Sequence, residues 1–201
     1  MNKPILKLIR MAAVAAVLSP ALPGFALTLI STTPGGHRAS ATVQTGALPT
    51  IASDIGFNGF GAVSFLFEIG SADVDRLAGF NAVIARTNGA DISALQLSLD
   101  RGSFAWVGSV VPAFGVVDAI AGDSQRQRIG FAPAEPYGID LGNPFSAAGA
   151  QDWLIGFAGM AAGDRFRLTV SAVPEPAAWA LLLAGGAFVA GVRRWKLPQP
   201  S

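Results

Sequence analysis

Apolar and polar residues alternate one by one along several stretches between residues 27 and 172. In the clearest stretch, Val63, Phe65, Phe67 and Ile69 share one side, and Ser64 and Glu68 share the other. Successive side chains of a β-strand point to opposite faces, so this period of two predicts half-buried strands rather than helices. The same alternation recurs at Leu95, Leu97 and Leu99 and at Phe166, Leu168 and Val170.

Turn signals separate these stretches. Asn58-Gly59 and Asn88-Gly89 fit type I′ turns, because both central residues of such a turn need a positive φ. Many short strands without a long amphipathic helix predict one all-β domain over residues 27–172, an antiparallel, jelly-roll-like β-sandwich. Two sheets would bury these large side chains between them: Phe65, Phe67, Leu97, Leu99, Trp106, Trp153, Phe157, Phe166 and Leu168.

Residues 173–201 form a tail of three parts. Val173, Pro174, Glu175 and Pro176 make a proline-bracketed hinge, residues 177–192 carry no charge, and Arg193, Arg194 and Lys196 form a basic cap. A helix that is apolar on every face must be buried or lie in a membrane. This one would span about 24 Å, against about 30 Å for the hydrocarbon core of a bilayer. The tail therefore predicts a single transmembrane helix, with its basic end in the cytoplasm. Its membrane segment includes Ala177, Trp179, Leu181, Leu182, Leu183, Phe188 and Val192.

This tail closely resembles the PEP-CTERM sorting signal of Gram-negative bacteria. The matching residues are the Val-Pro-Glu-Pro motif at 173–176, the run from Trp179 to Gly185, and Arg193-Arg194. The resemblance implies recognition and cleavage near the motif by exosortase, a membrane protease. It also implies release to the cell surface or into the exopolysaccharide matrix of a biofilm, after a transient stay in the inner membrane.

The N-terminus has the plan of a secretory signal peptide over residues 1–26. Lys3, Lys7 and Arg10 precede a short apolar segment, and Gly24 and Ala26 supply the small residues for cleavage after Ala26. An uncleaved anchor is the alternative. The signal predicts contact with the secretion machinery and signal peptidase.

Between the two ends the chain has no lysine and no cysteine. Eight arginines stand against twelve carboxylates over residues 27–172, which gives this part a formal charge of −4. A mildly acidic domain argues against nucleic acid as a partner.

The sequence offers little for catalysis. His37, the sole histidine, lies in a glycine-rich loop that we expect to be flexible and solvated, so a Ser-His-Asp site and a zinc site are both disfavoured. Asp73 and Asp75 could chelate Ca²⁺, yet further ligands are missing nearby. We therefore expect no enzymatic activity, no metal and no cofactor.

Aromatic rings provide the more plausible ligand hypothesis. Trp106, Tyr137 and Trp153 are candidate glycan contacts, because a ring offers a broad apolar face with a polar edge. Core packing is the alternative for each. The sequence thus predicts an exported structural or adhesive matrix protein, with a carbohydrate-binding module as the alternative and a glycan hydrolase as the least favoured option.

Overall fold

The computed structural model describes residues 26–89 and 91–173, which form thirteen β-strands and no helix. The predicted signal peptide up to residue 25, and the predicted sorting segment from Pro174 onward, lie outside these ranges. Within the described ranges, no helix has the length and apolarity needed to cross a bilayer. The strands are β1 (Thr28–Thr33), β2 (Arg38–Gln44), β3 (Thr50–Asn58), β4 (Gly61–Glu68), β5 (Leu77–Asn88), β6 (Ile92–Leu99), β7 (Ser103–Trp106), β8 (Val110–Pro112), β9 (Val116–Gly122), β10 (Arg126–Glu135), β11 (Gly138–Leu141), β12 (Trp153–Gly156) and β13 (Arg165–Val173).

The strands make two sheets. The first sheet has the order β1-β4-β13-β6-β10-β9. The second has the order β2-β3-β5-β11-β8, and β12 pairs with both β5 and β7. One core cluster contains buried residues from both sheets, which gives the molecule a β-sandwich-like build.

The core confirms most of the predicted inward positions. Eight of the nine predicted side chains are buried, and Phe65, Phe67, Trp153, Phe157 and Phe166 are completely enclosed. Phe67 stacks on Phe166 with ring centroids 5.3 Å apart, and Phe157 packs against Phe166 at 5.1 Å. The prediction that Trp106 lies in the core is wrong, because 55 % of its surface is exposed.

One strand pair differs from the predicted antiparallel arrangement. β3 and β5 run parallel over a long register, with Ile51 opposite Phe80 and Ile55 opposite Ile84. The chain leaves the second sheet after β3, forms β4 in the first sheet, and returns to form β5. Two reversals of direction bring β5 back parallel to β3, with a strand rather than a helix as the crossover.

Glu135 joins the two sheets at one end. Its carboxylate is fully buried and accepts four backbone N–H bonds: Oε2 from Phe114 and Gly115 at 2.8 and 3.1 Å, and Oε1 from Tyr137 and Gly138 at 2.8 and 3.2 Å. Phe114 and Gly115 belong to the connection from β8 to β9, Tyr137 lies in the connection from β10 to β11, and Gly138 is the first residue of β11. Both connections pass between the sheets, so this carboxylate fixes the way the chain changes layer.

Candidate functional site

The outer face of the second sheet, which we call the groove face, carries two adjoining cavities, and a separate cavity of about 300 Å³ lies on the first sheet beside Asp118 and Arg128. Strand register places Ser40, Asp54, Val83, Asp140 and Val111 in one row across five strands. Their neighbours along each strand, such as Ile55 and Ile84, are buried in the core. The row itself therefore points away from the core.

Short side chains form the floor of this face and leave space above it. A cavity of about 290 Å³ is lined by Arg38, Gly56, Ala85 and Thr87 among others, and a second of about 180 Å³ by Thr42, Ala52 and Asn81 among others. Ser40, Asp54 and Val83 line both, so the two cavities adjoin. Together they form an open groove along β2, β3 and β5.

A projecting segment, residues 142–152, makes one wall of the groove. β11 ends with Leu141 opposite Ala82, and β12 begins with Trp153 opposite Phe80. The segment therefore leaves the sheet at the single position of Asn81 on β5. Pro144 and Phe145 line the second cavity. Phe145 keeps 68 % of its surface exposed, so its ring is free to contact a ligand.

Hydrogen bonds hold this wall in place. The Asp152 carboxylate accepts the Asn143 backbone N–H at 2.7 Å and the Asn81 side-chain amide at 3.1 and 3.2 Å. The Asn143 side chain donates to the carbonyls of Ala147 and Ala150 and accepts the N–H of Ala147. The wall is thus fastened to the sheet at its base and braced internally.

Only glycine fits where the wall begins. Gly142 has a φ of +71°, a region that side-chain-bearing residues rarely adopt. A Cβ there would lie 2.8 Å from the Phe80 carbonyl oxygen and 2.9 Å from Asp152 Oδ1. The close approach explains how Asp152 can reach back across the base of the wall.

Trp106 stands at the far edge of the same face. It lies opposite Leu154, in a row that continues through Gly79 to Thr50. Ile155 pairs with Phe104 and Leu154 pairs with Trp106, so Ala105 is the extra residue of a β-bulge. The bulge turns Trp106 outward while Phe104 stays buried.

The groove face carries carboxylates with one cation. Asp54 and Asp140 flank Val83 on opposite sides, and Arg38 lies one row away, opposite Gly56. Burial raises the pKa of the Asp140 carboxyl above its usual value. Among the described residues, neither aspartate has a salt-bridge or hydrogen-bond partner within bonding distance. Their oxygens are therefore available to accept hydrogen bonds from a ligand.

The other two predicted glycan contacts lie elsewhere. Trp153 is fully buried, donates its indole N–H to the Ser109 carbonyl at 3.2 Å, and meets Phe104 edge to face, so it offers nothing to a glycan. Tyr137 is 64 % exposed and forms an edge-to-face pair with Phe114 at the end where Glu135 joins the sheets. The structure thus brings Trp106 to the groove face and leaves Tyr137 on a separate patch.

Other side chains considered for chemistry have structural contacts. The His37 ring packs edge-on against Phe57, and its Nδ1 accepts the Asn58 backbone N–H at 3.2 Å, so the loop expected to be flexible is anchored through this residue. Asp73 is buried and accepts a backbone N–H from Leu27. In residues 26–89 and 91–173, no group of three or more His, Cys, Asp or Glu residues is placed to hold a metal ion.

The groove face has what binding of a polyhydroxylated chain requires. The exposed rings of Phe145, in the groove, and Trp106, at the edge of the face, could stack on the apolar faces of sugars. The carboxylates of Asp54 and Asp140 can accept hydrogen bonds from hydroxyl groups. Sequence reasoning missed Phe145, because nothing in its loop indicates that the segment folds back over the sheet. Comparisons with protein-family models, with curated proteins and with solved structures found no match for this chain.

Proposed function

We propose that this chain is an exported surface or exopolysaccharide-matrix protein whose β-sandwich body adheres to glycan. The signal peptide plan at residues 1–26 and the Val-Pro-Glu-Pro tail at 173–176 support export and handling by signal peptidase and exosortase. The body has an adhesive role and catalyses no reaction. It spends a transient period tethered to the inner membrane before release to the surface.

One observation carries the glycan-binding part of the proposal. Phe145, which is 68 % exposed, lines the groove, and Trp106, which is 55 % exposed, lies at the β7 edge of the same outer face. Exposed aromatic rings beside a polar groove provide flat apolar faces on which a ligand can stack. A sugar chain matches them, since its C–H faces stack on rings and its hydroxyls donate to Asp54 and Asp140.

The test measures binding of the exported protein to the neutral polysaccharide fraction of a biofilm matrix. We expect Trp106→Ala and Phe145→Ala each to weaken binding about tenfold, in line with the loss of one stacking contact of roughly 1.4 kcal/mol. The matched control is Phe60→Ala, which removes an exposed ring from the turn between β3 and β4. Equal binding by wild type and both groove variants would refute the groove face as the binding surface.

A second experiment tests the sorting step separately. Glu175→Ala should leave the tagged body in the membrane fraction, because the motif that the protease is proposed to read is broken. The control is Glu68→Ala, which removes a carboxylate at the surface of the body, outside the motif. Unchanged release of the Glu175→Ala protein would count against motif-directed sorting and would leave the glycan proposal intact.

A further inference from the structure

The backbone nitrogen of Leu27 makes an unusual contact. It donates to Asp73 Oδ2 at 2.6 Å across 46 positions of sequence. Leu27 keeps 3 % of its surface exposed and Asp73 keeps 4 %, so the bond lies inside the protein. A carboxylate in such a position is well placed to pair with a cation at the Leu27 nitrogen.

The surroundings of Asp73 are fixed rather than adaptable. Its own N–H donates to the Gly70 carbonyl at 3.0 Å, and its carbonyl accepts the Arg76 N–H at 3.2 Å. Leu27 is in turn held by its side chain, which belongs to the core cluster, and β1 begins at the next residue. The Leu27 nitrogen and the Asp73 carboxylate are therefore kept together from both sides.

We propose that the mature protein begins at Leu27 and that its new α-ammonium group forms a buried ion pair with Asp73. The proposal rests on the export part of the proposed function. Hydrolysis of the Ala26–Leu27 peptide bond adds one water: Ala26 leaves with a carboxylate, and Leu27 gains an amine that takes up a proton. The neutral N–H donor that faces Asp73 before cleavage thereby becomes a cation with three N–H donors.

Cleavage at this bond therefore adds an ion pair between the Leu27 ammonium and Asp73 to the folded body. The bond from the peptide N–H to the Asp73 carboxylate is charge-assisted on one side only, and an α-ammonium in the same place adds a positive charge on the donor side. One residue more would replace the cation by a neutral amide, and one residue less would remove both the nitrogen and the buried leucine. The folded body thus favours a start at Leu27 over either neighbour.

The first test identifies the start and its reactivity. N-terminal sequencing of the exported protein should give Leu27. The chain has lysines only at positions 3, 7 and 196, so an amine-reactive ester can label the α-amino group of the exported body without interference from lysine side chains within it. We expect the Leu27 amine to react at least tenfold more slowly in the folded protein than in the same protein unfolded in urea.

The second test removes the anion. In exported Asp73→Asn, labelling of the Leu27 amine should rise at least tenfold, whereas Asp75→Asn, which alters an exposed neighbour, should leave the rate unchanged. If Asp73→Asn fails to fold, the comparison of folded and unfolded wild type still decides. A start other than Leu27, or equal labelling in folded and unfolded wild type, overturns the ion pair while export and glycan binding stand. Full-length protein retained in the cytoplasm contradicts the export proposal itself.

Discussion

The two sheets turn very different outer faces to solvent. Outward positions of the first sheet carry short polar and cationic side chains in rows, such as Ser64, Thr169, Ser98 and Arg126 across four strands. Ser64 and Thr169 share a hydroxyl bond at 2.8 Å, and Arg165 pairs with Glu68 at 2.8 Å. Outward positions of the second sheet instead combine short side chains, two unpaired aspartates and exposed rings.

The contrast is confined to the outer sides of the two sheets. Both sheets obey the same rule on their inner sides, where alternate apolar residues enter one core. That rule does not restrict the residue type at the outward positions, and these positions differ between the two sheets. Part of the first face pairs its groups with one another, as at Ser64 and Thr169, although a cavity of about 300 Å³ lies beside Asp118 and Arg128. The groove face differs in combining unpaired aspartates with an exposed ring, and we propose it as the recognition surface.

The largest expected effect on stability comes from removing the Glu135 carboxylate, which binds both connections between the sheets. Glu135→Ala would leave four backbone N–H groups buried without an acceptor, and we expect a loss of about 4 kcal/mol in the free energy of unfolding. Urea denaturation followed by tryptophan fluorescence measures it. Glu68→Ala, which removes an exposed ion pair, should cost no more than about 1 kcal/mol. Similar losses in the two variants would show that Glu135 does not fasten the sheets.

Titration of Glu135 should also make the stability of the protein depend on pH. Burial raises the pKa of the Glu135 carboxyl, but the four N–H donors together outweigh burial and bring the pKa below its usual value. The folded protein thus binds this proton less readily than the unfolded chain does. The resulting stabilisation is present above the unfolded pKa of about 4.3 and is lost as the pH falls through the lower folded pKa.

Glu135→Gln should therefore flatten the acid limb of the stability curve, because its side chain does not titrate. Urea midpoints measured between about pH 3 and pH 6, a range that brackets the glutamate pKa, test this expectation. The control is again Glu68→Ala, which retains Glu135 and should therefore retain the part of the acid limb that Glu135 supplies. A Glu135→Gln protein with the wild-type slope below pH 4.3 would assign the acid sensitivity to other carboxylates.

Alternation in the sequence predicted the inner sides of the sheets well and the outer sides poorly. Strands β4, β6 and β13 follow from the pattern, because one face of each is fully buried. β9 was missed, because an edge strand that is exposed on both faces shows no alternation. β3 was missed because a polar residue, Ser53, occupies one of its inward positions and interrupts the apolar pattern.

The candidate site was harder to predict for a specific reason. Trp106 was assigned to the core, but the bulge at Ala105 reverses the direction of the next side chain, and bulges depend on the partner strand. Trp153 was offered as a glycan contact, yet it lies opposite Phe80 in the core. Phe145 reaches the groove because the segment 142–152 projects opposite one residue of β5, a relation between distant strands that local sequence does not reveal.

A change confined to the second sheet tests whether the wall at residues 142–152 positions Phe145 for binding. Asp152→Ala removes the acceptor that fastens the wall at residues 142–152, and we expect a loss of about 2 kcal/mol in stability from two charge-assisted contacts. Because Phe145 would no longer be held over the groove, glycan affinity should fall about tenfold, comparable to the loss of the ring itself. Titration of the exported protein with matrix polysaccharide measures the second effect.

The control for this variant separates a loose wall from general destabilisation. Asp164→Ala on the other side of the molecule removes a carboxylate that pairs with Arg101 and accepts the Ala161 N–H, without contact to the groove. It should leave glycan affinity as in wild type. If Asp152→Ala also retained full affinity, the wall would be irrelevant to binding and recognition would have to lie at Trp106 or elsewhere.

The smallest effect is expected on the first face, where the outer groups satisfy one another. Ser64→Ala breaks one hydroxyl contact to Thr169 on a half-buried surface, so the free energy of unfolding should fall by about 1 kcal/mol or less. Glycan affinity should not change, because Ser64 is on the opposite side of the sandwich from Trp106 and Phe145. The same urea and titration experiments measure both quantities. A drop in affinity with unchanged stability would move recognition to the first sheet and reverse the assignment of the two faces.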